Sequence, residues 1–515
     1  MIKCKNLISI LLVVLINTIT LAQDWPVTYS FRENTSAQDF IIDYDNGYVF
    51  VGVEYPDSTI RHGSAFIIKT DVNGEMLWRK YFGRPENYLT YINDVKKTAD
   101  NGYLLTGGTD IRKLENWNPF FIKLNSCGDM DWCTILECEI DSSYYHSVES
   151  VILEDGSIIS LLNLIGSQAV GYHKSLVKMD EYGMPLWVKQ YEYTDTSVYF
   201  EQGHHLRKTA DSNLLIDGEE NVFEPYLLKT DNKGETIWNL DWSLPIGEGN
   251  NILQTVQDAN GNYYSTGAIK ESNLVYRPVL YKTTHDGMQV FHKYIFGDTI
   301  PKGGLGPIKL YNGNLLYCAA SWSTEVLPLQ LGHNSVIMCD TLGNILYMKN
   351  LDDRFVLPLG LEFTYDNKIA VMSTVNFPGK EKFYLYKLNM NLEYAPLNTQ
   401  QLTYDSLCDH EILSDTLDLD CDVFVNIDEL PTQSEYENPI KLWPNPASSK
   451  VNIKVEKCAA HKIKIYNSLG QMVSETKLSL DASVVIDVKD WNKGIYIIYL
   501  VDKKANAYAR KLIVN

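Results

Sequence analysis

The chain has 515 residues, 45% hydrophobic and 21% charged, the make-up of a folded protein of about two to four domains, which excludes wholesale disorder. Lys and Arg number 45 against 65 Asp and Glu, a formal charge of −20, so no nucleic-acid partner is expected, since phosphate binding needs cationic surface. The 34 Tyr against 16 Phe, with 32 Gly, lean the chain toward strands and turns.

Lys3 and Lys5 precede an almost unbroken apolar run from Leu7 to Leu21, and Thr20-Leu21-Ala22 supplies the small residues of a cleavage site. This predicts a signal peptide over 1–22, cut before Gln23. The alternative, a transmembrane anchor, needs about 20 apolar residues, more than the run offers. No later stretch is long and apolar enough to span a membrane. Removing Cys4 from the nine cysteines leaves an even number, compatible with disulfides in an oxidising compartment. Cys408 and Cys421 enclose the acidic DHEILSDTLDLD and are the expected pair; such a bridge would stabilise by about 3 kcal/mol through loop entropy. Cys127, Cys133 and Cys138 match no metal spacing. Cys318 and Cys339 read at least as well as buried free thiols in strands.

The most informative feature is an internal repeat. FIIKTDVNGEMLW, Phe66 to Trp78, returns with its aromatic at Trp132, Trp187 and Trp238. Weaker copies end at Phe291, Tyr347 and Tyr394, the last without the glycine. The closing aromatics lie 54, 55, 51, 53, 56 and 47 residues apart. A second element precedes each copy, starting with DNGYVFVG at Asp45 and DNGYLLTGG at Asp100. The Asn and Gly pairs tolerate positive φ and sit between apolar runs, so they are hairpin turns. Seven repeats of strand, turn, strand, variable loop, strand, turn, strand predict a seven-bladed β-propeller, whose ring buries sheet faces that one unit would expose. Trp25, in WPVTYSF, lies 53 residues before Trp78. That phase predicts an orphan outer strand that pairs with the last blade and closes the ring.

The repeated motif is first of all structural. Gly74, Gly128, Gly183 and Gly234 shape turns, and Trp78, Trp132, Trp187 and Trp238 are expected to pack between blades. The Gly-to-Trp spacing resembles the docking motif of quinoprotein dehydrogenase propellers, but the Ala and Thr that accompany it there are absent. One Asp and one Asn per turn fall short of the six to eight oxygens of a calcium site. The sialidase Asp-box places its aromatic three positions after the Gly, and here it follows by four. HExxH, GxSxG and the P-loop are missing. His204 and His205, as strand neighbours, face opposite ways and are a poor metal pair. No catalytic residue, cofactor or metal is assigned. The loops between second and third strands mix aromatic and polar groups and differ between repeats; Tyr55, Trp117 and Trp322 are the candidate binding positions. Plain solvated connectors are an equally open reading.

From about Pro396 the repeats stop, and 399–438 reads as an acidic linker that folds against the propeller through Val423, Phe424 and Val425. From Ile440 onward there are 13 Lys and Arg against 6 Asp and Glu, or +7, while the rest carries 32 − 59 = −27. That asymmetry marks a separate module, and its alternating runs predict a small Ig-like antiparallel β-sandwich.

Trp443-Pro444-Asn445-Pro446, then Gly470, then Gly494 with Tyr496, then Lys511-Leu512-Ile513-Val514 at the end of the chain resemble the type A C-terminal sorting domain of Bacteroidetes type IX secretion. The usual opening Tyr is Trp443 here. The resemblance covers about 75 residues. It implies passage through the periplasm and across the outer membrane by the type IX machinery, with the sorting domain commonly cleaved and the cargo released or surface-held. An Ig-like binding module is the alternative.

The expected organisation is thus a signal peptide at 1–22, a propeller at 23–398, the linker at 399–438 and a sorting domain at 439–515. The expected role is non-catalytic extracellular binding of protein or glycan. The competing role is a glycoside hydrolase or polysaccharide lyase acting on extracellular polysaccharide. Carboxylates or His clustered on one channel face would favour the enzyme, and an aromatic face would favour binding.

Overall fold

The computed structural model describes residues 25–515 except 32–33, 56–62, 84–88, 111–116, 138–143, 166–171, 192–200, 221–223, 243–249, 273–274, 297–301, 323–331, 353–356, 376–380, 420, 425–439, 456–459, 468–470, 478–482 and 503–506. The proposed signal peptide, Cys4, Cys138, Val425, Cys458 and Gly470 lie outside them. By density of contacts the chain divides into two compact units; the first holds most of 25–425 and the second contains 426–515.

The repeats fold as antiparallel four-stranded sheets. In the first, Asn34–Ile42, Tyr48–Tyr55, Ser64–Thr70 and Met76–Phe82 lie side by side in chain order. Tight turns join first to second and third to fourth strands. Asn46, Asn101, Asn312 and Asn367 take positive φ in the first kind of turn, and Gly74, Gly128, Gly183 and Gly234 take it in the second, as the Asn and Gly pairs require. The seventh copy, which lost its glycine, holds Leu392 at φ 63° instead.

Seven such sheets form a closed ring. The first strands, Asn34–Ile42, Thr90–Lys97, Tyr144–Ile152, Glu201–Lys208, Asn250–Gln257, Lys302–Tyr311 and Leu357–Phe363, each contact the next, and the seventh returns to the first. Closure uses the expected device. Val27–Tyr29 pairs antiparallel with Lys382–Leu388 as the outer strand of the seventh blade, Val27 opposite Leu385 and Tyr29 opposite Phe383. The Tyr29 hydroxyl donates to the Gly74 carbonyl at 2.7 Å, and Tyr191, at the same repeat position of blade three, donates to Gly234 at 2.9 Å. The apolar core lies between blades. One cluster joins Val51, Ile67 and Trp78 of blade one to Leu105, Ile122 and Ile135 of blade two. Another joins Trp25 and Val27 to Phe50, Phe66 and Phe383 across the closing seam.

The acidic segment after the last blade is a strap. Asp415–Leu417 adds in parallel to the outer strand of blade one, Asp415 opposite Lys80. Asp422–Phe424 adds in the same way to Met130–Leu136 of blade two. Ile412, Leu417, Leu419 and Val423 pack on the core between these blades, so Val423 and Phe424 do anchor the segment. The expected Cys408–Cys421 bridge is corrected. Cys408 bonds Cys127 and Cys421 bonds Cys133, across 281 and 288 residues. Local proximity misled because the two strap cysteines each face a blade and not each other. Cys318 and Cys339 are buried free thiols.

The second unit is a sandwich. Ile440–Trp443, Lys450–Val455 and Ser483–Asp487 form one sheet, and Met472–Lys477, Ala460–Asn467, Gly494–Asp502 and Ala507–Val514 the other. Ile453, Val455, Ile465, Ile498 and Leu512 fill its core.

Non-reducing peptide mapping should recover the Cys127–Cys408 and Cys133–Cys421 cross-links; a peptide joining Cys408 to Cys421 would contradict the strap. Reduction is expected to lower stability to denaturant by about 2–5 kcal/mol, because both bridges close long loops.

Candidate functional site

The repeat motif serves the scaffold. The Asp71 carboxylate accepts from the backbone N–H groups of Asn73 and Glu75, at 2.8 and 2.7 Å. Asp180, Asp231 and Asp340 repeat this bonding in other blades. The carboxylate is therefore spent on its own turn. The motif lysine reaches back to the acid of the first turn: Lys69 to Asp45 at 2.8 Å, Lys123 to Asp100 at 2.8 Å, Lys229 to Asp211 at 2.7 Å and Lys387 to Asp366 at 3.3 Å. Sequence reading missed this pairing, although Lys and Asp recur about 20 residues apart in four repeats. In blade one Lys69 is wholly buried and also contacts Asp43, which accepts from the Tyr103 hydroxyl of blade two at 2.6 Å. Trp78, Trp132 and Trp187 are buried. A Cβ at Gly128 would meet the Trp78 ring at 3.4 Å, and one at Gly287 would meet Trp238 at 2.8 Å. Trp78 and Trp238 therefore sit beneath the next blade's turn.

Polar side chains line the inner strands. Asp39 accepts from the backbone N–H of Val95 at 3.1 Å, Asp94 from Ser150 at 3.1 Å, Glu149 from Leu206 at 3.1 Å and Gln254 from Ile308 at 2.7 Å. Blades one, two, three and five thus each grip the first strand of the next. Asp39, Asp94 and Gln254 follow a bulge in their strand, which turns the side chain toward the neighbouring blade. Lys96 lies between Asp94 at 2.6 Å and Glu149 at 2.7 Å. Burial pushes the Asp94 carboxyl well up, and the Glu149 and Asp39 charges add to this against Lys96. Burial likewise raises Asp39. Burial also works on Glu149, but Lys96, Arg207 and His205 outweigh it and hold that carboxyl below its usual range. His205 lies 3.2 Å from Asp217, and His204 lies 3.8 Å from Glu219. The strand bulges between Gly203 and His205, which interrupts the expected alternation, and the two histidines serve different acids that lie two residues apart on the paired strand. Among the described residues the one convergence of ligand-type atoms is Cys127, Asp129 and His410, and the Cys127 sulfur is already bonded to Cys408.

Two of the three aromatic loop positions come together. Tyr55 ends the second strand of blade one and Trp117 precedes the third strand of blade two. Tyr91, which sequence reading missed, packs on Trp117 and lies near enough to Tyr55 to feel its charge. Its ring lies 5.0 Å from Trp117, and its phenol is raised by burial and then by nearby Tyr55. Burial, with Glu381 of blade seven alongside, pushes Tyr55 up to about 12. Trp322 ends the second strand of blade six, and its side chain lies outside the described residues.

In the sandwich, the motif blocks meet. Asn445 donates to the Lys511 carbonyl at 3.0 Å and accepts from the Ile513 N–H at 2.8 Å. Ala447 N–H donates to the Ile513 carbonyl at 2.8 Å, and Asn515 N–H to the Ala447 carbonyl at 3.0 Å. The opening block is therefore pinned to the last strand by side chain and backbone together. Pro444 and Pro446 flank Asn445 and fix its approach. Lys511, Leu512 and Val514 are buried, Tyr496 donates to the Asn492 carbonyl at 2.9 Å, and Trp443 is 46% exposed. Gly494 opens the strand that pairs with the last one, opposite Val514.

Two outcomes are expected. Burial raises Asp211, but bonds from Lys229, Thr209 and Asn213 prevail and hold it at about 2. Its contribution is therefore present above the unfolded value near 3.9 and lost as pH falls toward 2. Lys229→Met should flatten that acid limb of a stability-against-pH curve, by less than about 1 kcal/mol since Asp211 is half exposed. Asn445→Ala should destabilise the sorting unit by about 1–3 kcal/mol, and both it and removal of 511–515 should hold the protein in the periplasm; normal surface display of the truncation would contradict the sorting role.

Residues 441–515 match the family model described as the secretion system C-terminal sorting domain. An ulvan lyase of Nonlabens ulvanivorans is 33% identical over 87 residues, 17% of this chain and 16% of that protein. An endo-acting ulvan lyase of Formosa agariphila is 31% identical over 76 residues, 15% of each. The chain thus spans about a sixth of the length of these curated relatives. Among solved structures, an ulvan lyase of a polysaccharide lyase family aligns at TM-score 0.46 and 9% identity, over 70% of this chain and 95% of that one. The periplasmic gluconolactonase of Pseudomonas aeruginosa aligns at TM-score 0.41 and 10% identity, over 71% and 96%. No helix among the described residues is long and apolar enough to cross a membrane. The C-terminal unit is a type IX secretion sorting domain, and the chain that carries it is exported to the cell surface or the extracellular space.

Proposed function

We infer that the propeller is the working cargo and that it binds without catalysis, as an adhesin or scaffold, with a glycan as its ligand class. The observation that carries this reading is the group of Tyr55, Tyr91 and Trp117 between blades one and two, with Tyr91 and Trp117 5.0 Å apart. Aromatic faces take sugar rings by stacking their apolar C–H groups, and loops on a rigid ring hold such faces in place. The acids of the inner strands support the same conclusion. Asp39, Asp94 and Glu149 are each bonded to a neighbouring blade's backbone, so they are engaged in holding the ring. On this reading the signal peptide ends at 22, the propeller runs from 23 to 398 with its strap beyond it, and the sorting domain begins near 439.

A second reading, an enzyme acting on extracellular polysaccharide, is favoured by one feature. Burial pushes the Asp94 carboxyl well above the usual carboxylate range, while at nearby Glu149 burial is outweighed by Lys96, Arg207 and His205, which hold it below that range; environments that separate two carboxyls suit acid and base roles. The ulvan lyases add little to it, because their matches are of a length that the sorting domain alone could supply.

A glycan array probed with the mature protein should give binding that Trp117→Ala reduces at least about tenfold, the loss of one stacking contact of about 1.4 kcal/mol. A polysaccharide turnover screen run beside it should stay blank. Turnover that Asp94→Asn and Glu149→Gln abolish would replace the binding reading with the enzymatic one.

A further inference from the structure

The outer edges of the blades are treated unequally. Blades one and two have theirs covered by the strap, at the same repeat positions: Asp415–Leu417 lies along Lys80–Phe82, and Asp422–Phe424 along Thr134–Leu136. Both inserts are short acidic-apolar triads, seven residues apart. The strap carbonyls of Leu417 and Phe424 accept from the N–H groups of Gly83 and Glu137, at 3.1 and 2.8 Å. Asp415 also meets Lys80 at 3.2 Å. Trp78 and Trp132 of these blades are 1% and 7% exposed, and Trp187 of blade three, without a strap strand, is 3% exposed.

Blades five and six have no such cover among the described residues. Their outer strands, Gln289–Tyr294 and Ile345–Asp352, end their sheets. At the position of Trp78 and Trp132 blade six carries Tyr347, 56% exposed, followed by Met348 at 51%. Met288, Val290, Ile345 and Leu346 are exposed beside them. At the position of Lys80 stand Lys293 and Lys349. The match of Lys293 to Lys80 extends to their surroundings. A Cβ at Gly128 would meet the Lys80 chain at 3.0 Å, and one at Gly343 would meet the Lys293 chain at 3.0 Å. An open sheet edge with exposed apolar groups invites strand addition.

We propose that the outer edges of blades five and six are a docking surface for an extended segment of a partner protein, bearing acidic-apolar triads like those of the strap and adding in parallel. The molecule supplies the template for this occupant. Its own strap shows that the edge of a blade takes a parallel triad, and that a lysine at this position receives the leading acid. Lys293 and Lys349 give this edge the positive charge that suits an acidic segment; Lys293 now donates to the Leu342 carbonyl and Asn344 Oδ1, at 3.0 and 2.9 Å, and Lys349 lies 5.2 Å from the Tyr394 ring, all neutral partners that an acid would replace. This inference does not depend on the glycan reading, which concerns the loops between blades one and two.

The probe is a labelled peptide of residues 411–424 with Cys421→Ser, titrated into the full mature chain with both disulfides intact. Saturable binding is expected, weakened by at least about fivefold in Lys349→Glu and further in Lys293→Glu with Lys349→Glu. Tyr347→Ser, at an exposed ring, should weaken it with no change in melting temperature. Hydrogen exchange should show new protection at 289–294 and 345–352. Absence of binding up to about 1 mM overturns the proposal. So does binding indifferent to these substitutions, or protection at 76–82 and 130–136, which would mean exchange with the native strap. Self-association lost in the same variants, with no peptide binding, would assign the edges to a second copy of the chain.

Discussion

The apolar clusters of the propeller straddle neighbouring sheets. Val51 and Trp78 of blade one pack on Leu105 and Ile122 of blade two, and Leu316 and Val336 of blade six pack on Val371 and Tyr384 of blade seven. A sheet standing alone would leave both faces wet, so each blade is stable only between two others. A row of blades built this way has two raw ends, and closure removes them. The short strand Val27–Tyr29, met at the start of the described chain, completes the last blade and seals the cluster of Trp25, Phe50 and Phe383.

Two further devices act on the same constraint. Along the inner strands, acids and Gln254 each bond a backbone N–H of the following blade. The acids are buried or half-buried, so leaving one unpaired would cost more than its pairing contributes. Lys96 offsets the charge of Asp94 and Glu149. Along the outer edge of blades one and two, the strap adds strands and two disulfides. The region near the closing seam is thereby held from inside and outside, while among the described residues the outer strands of blades three to six end their sheets.

The aromatic group and the sorting motif show how far residues alone lead to a site. Trp117 and Tyr55 were legible as candidates because variable loops on a rigid scaffold are where recognition residues gather. Tyr91 did not, since it sits in a strand whose pattern already accounts for an aromatic. Asn445 was legible as part of a motif, but its role was not. That role is a pair of hydrogen bonds to backbone 66 and 68 residues away.

What the residues determined by themselves was whatever repeats or stays local: turns in which Asn or Gly mostly supplies the positive φ, with Ser212 and Leu392 as exceptions, seven alternating strand sets, the phase of Trp25 and the order of the sorting blocks. Hydrogen-bonding and steric preferences within a few residues are enough for these. What only the tertiary structure decided was long-range and unrepeated. Cys408 and Cys421 lie close along the chain yet bond Cys127 and Cys133, because the strap runs across two blades and presents each sulfur to a different strand. The use of the inner acids, the meeting of Tyr55, Tyr91 and Trp117, and the difference between covered and open edges likewise follow from ring closure, which brings together residues whose separation along the chain carries no trace of the contact.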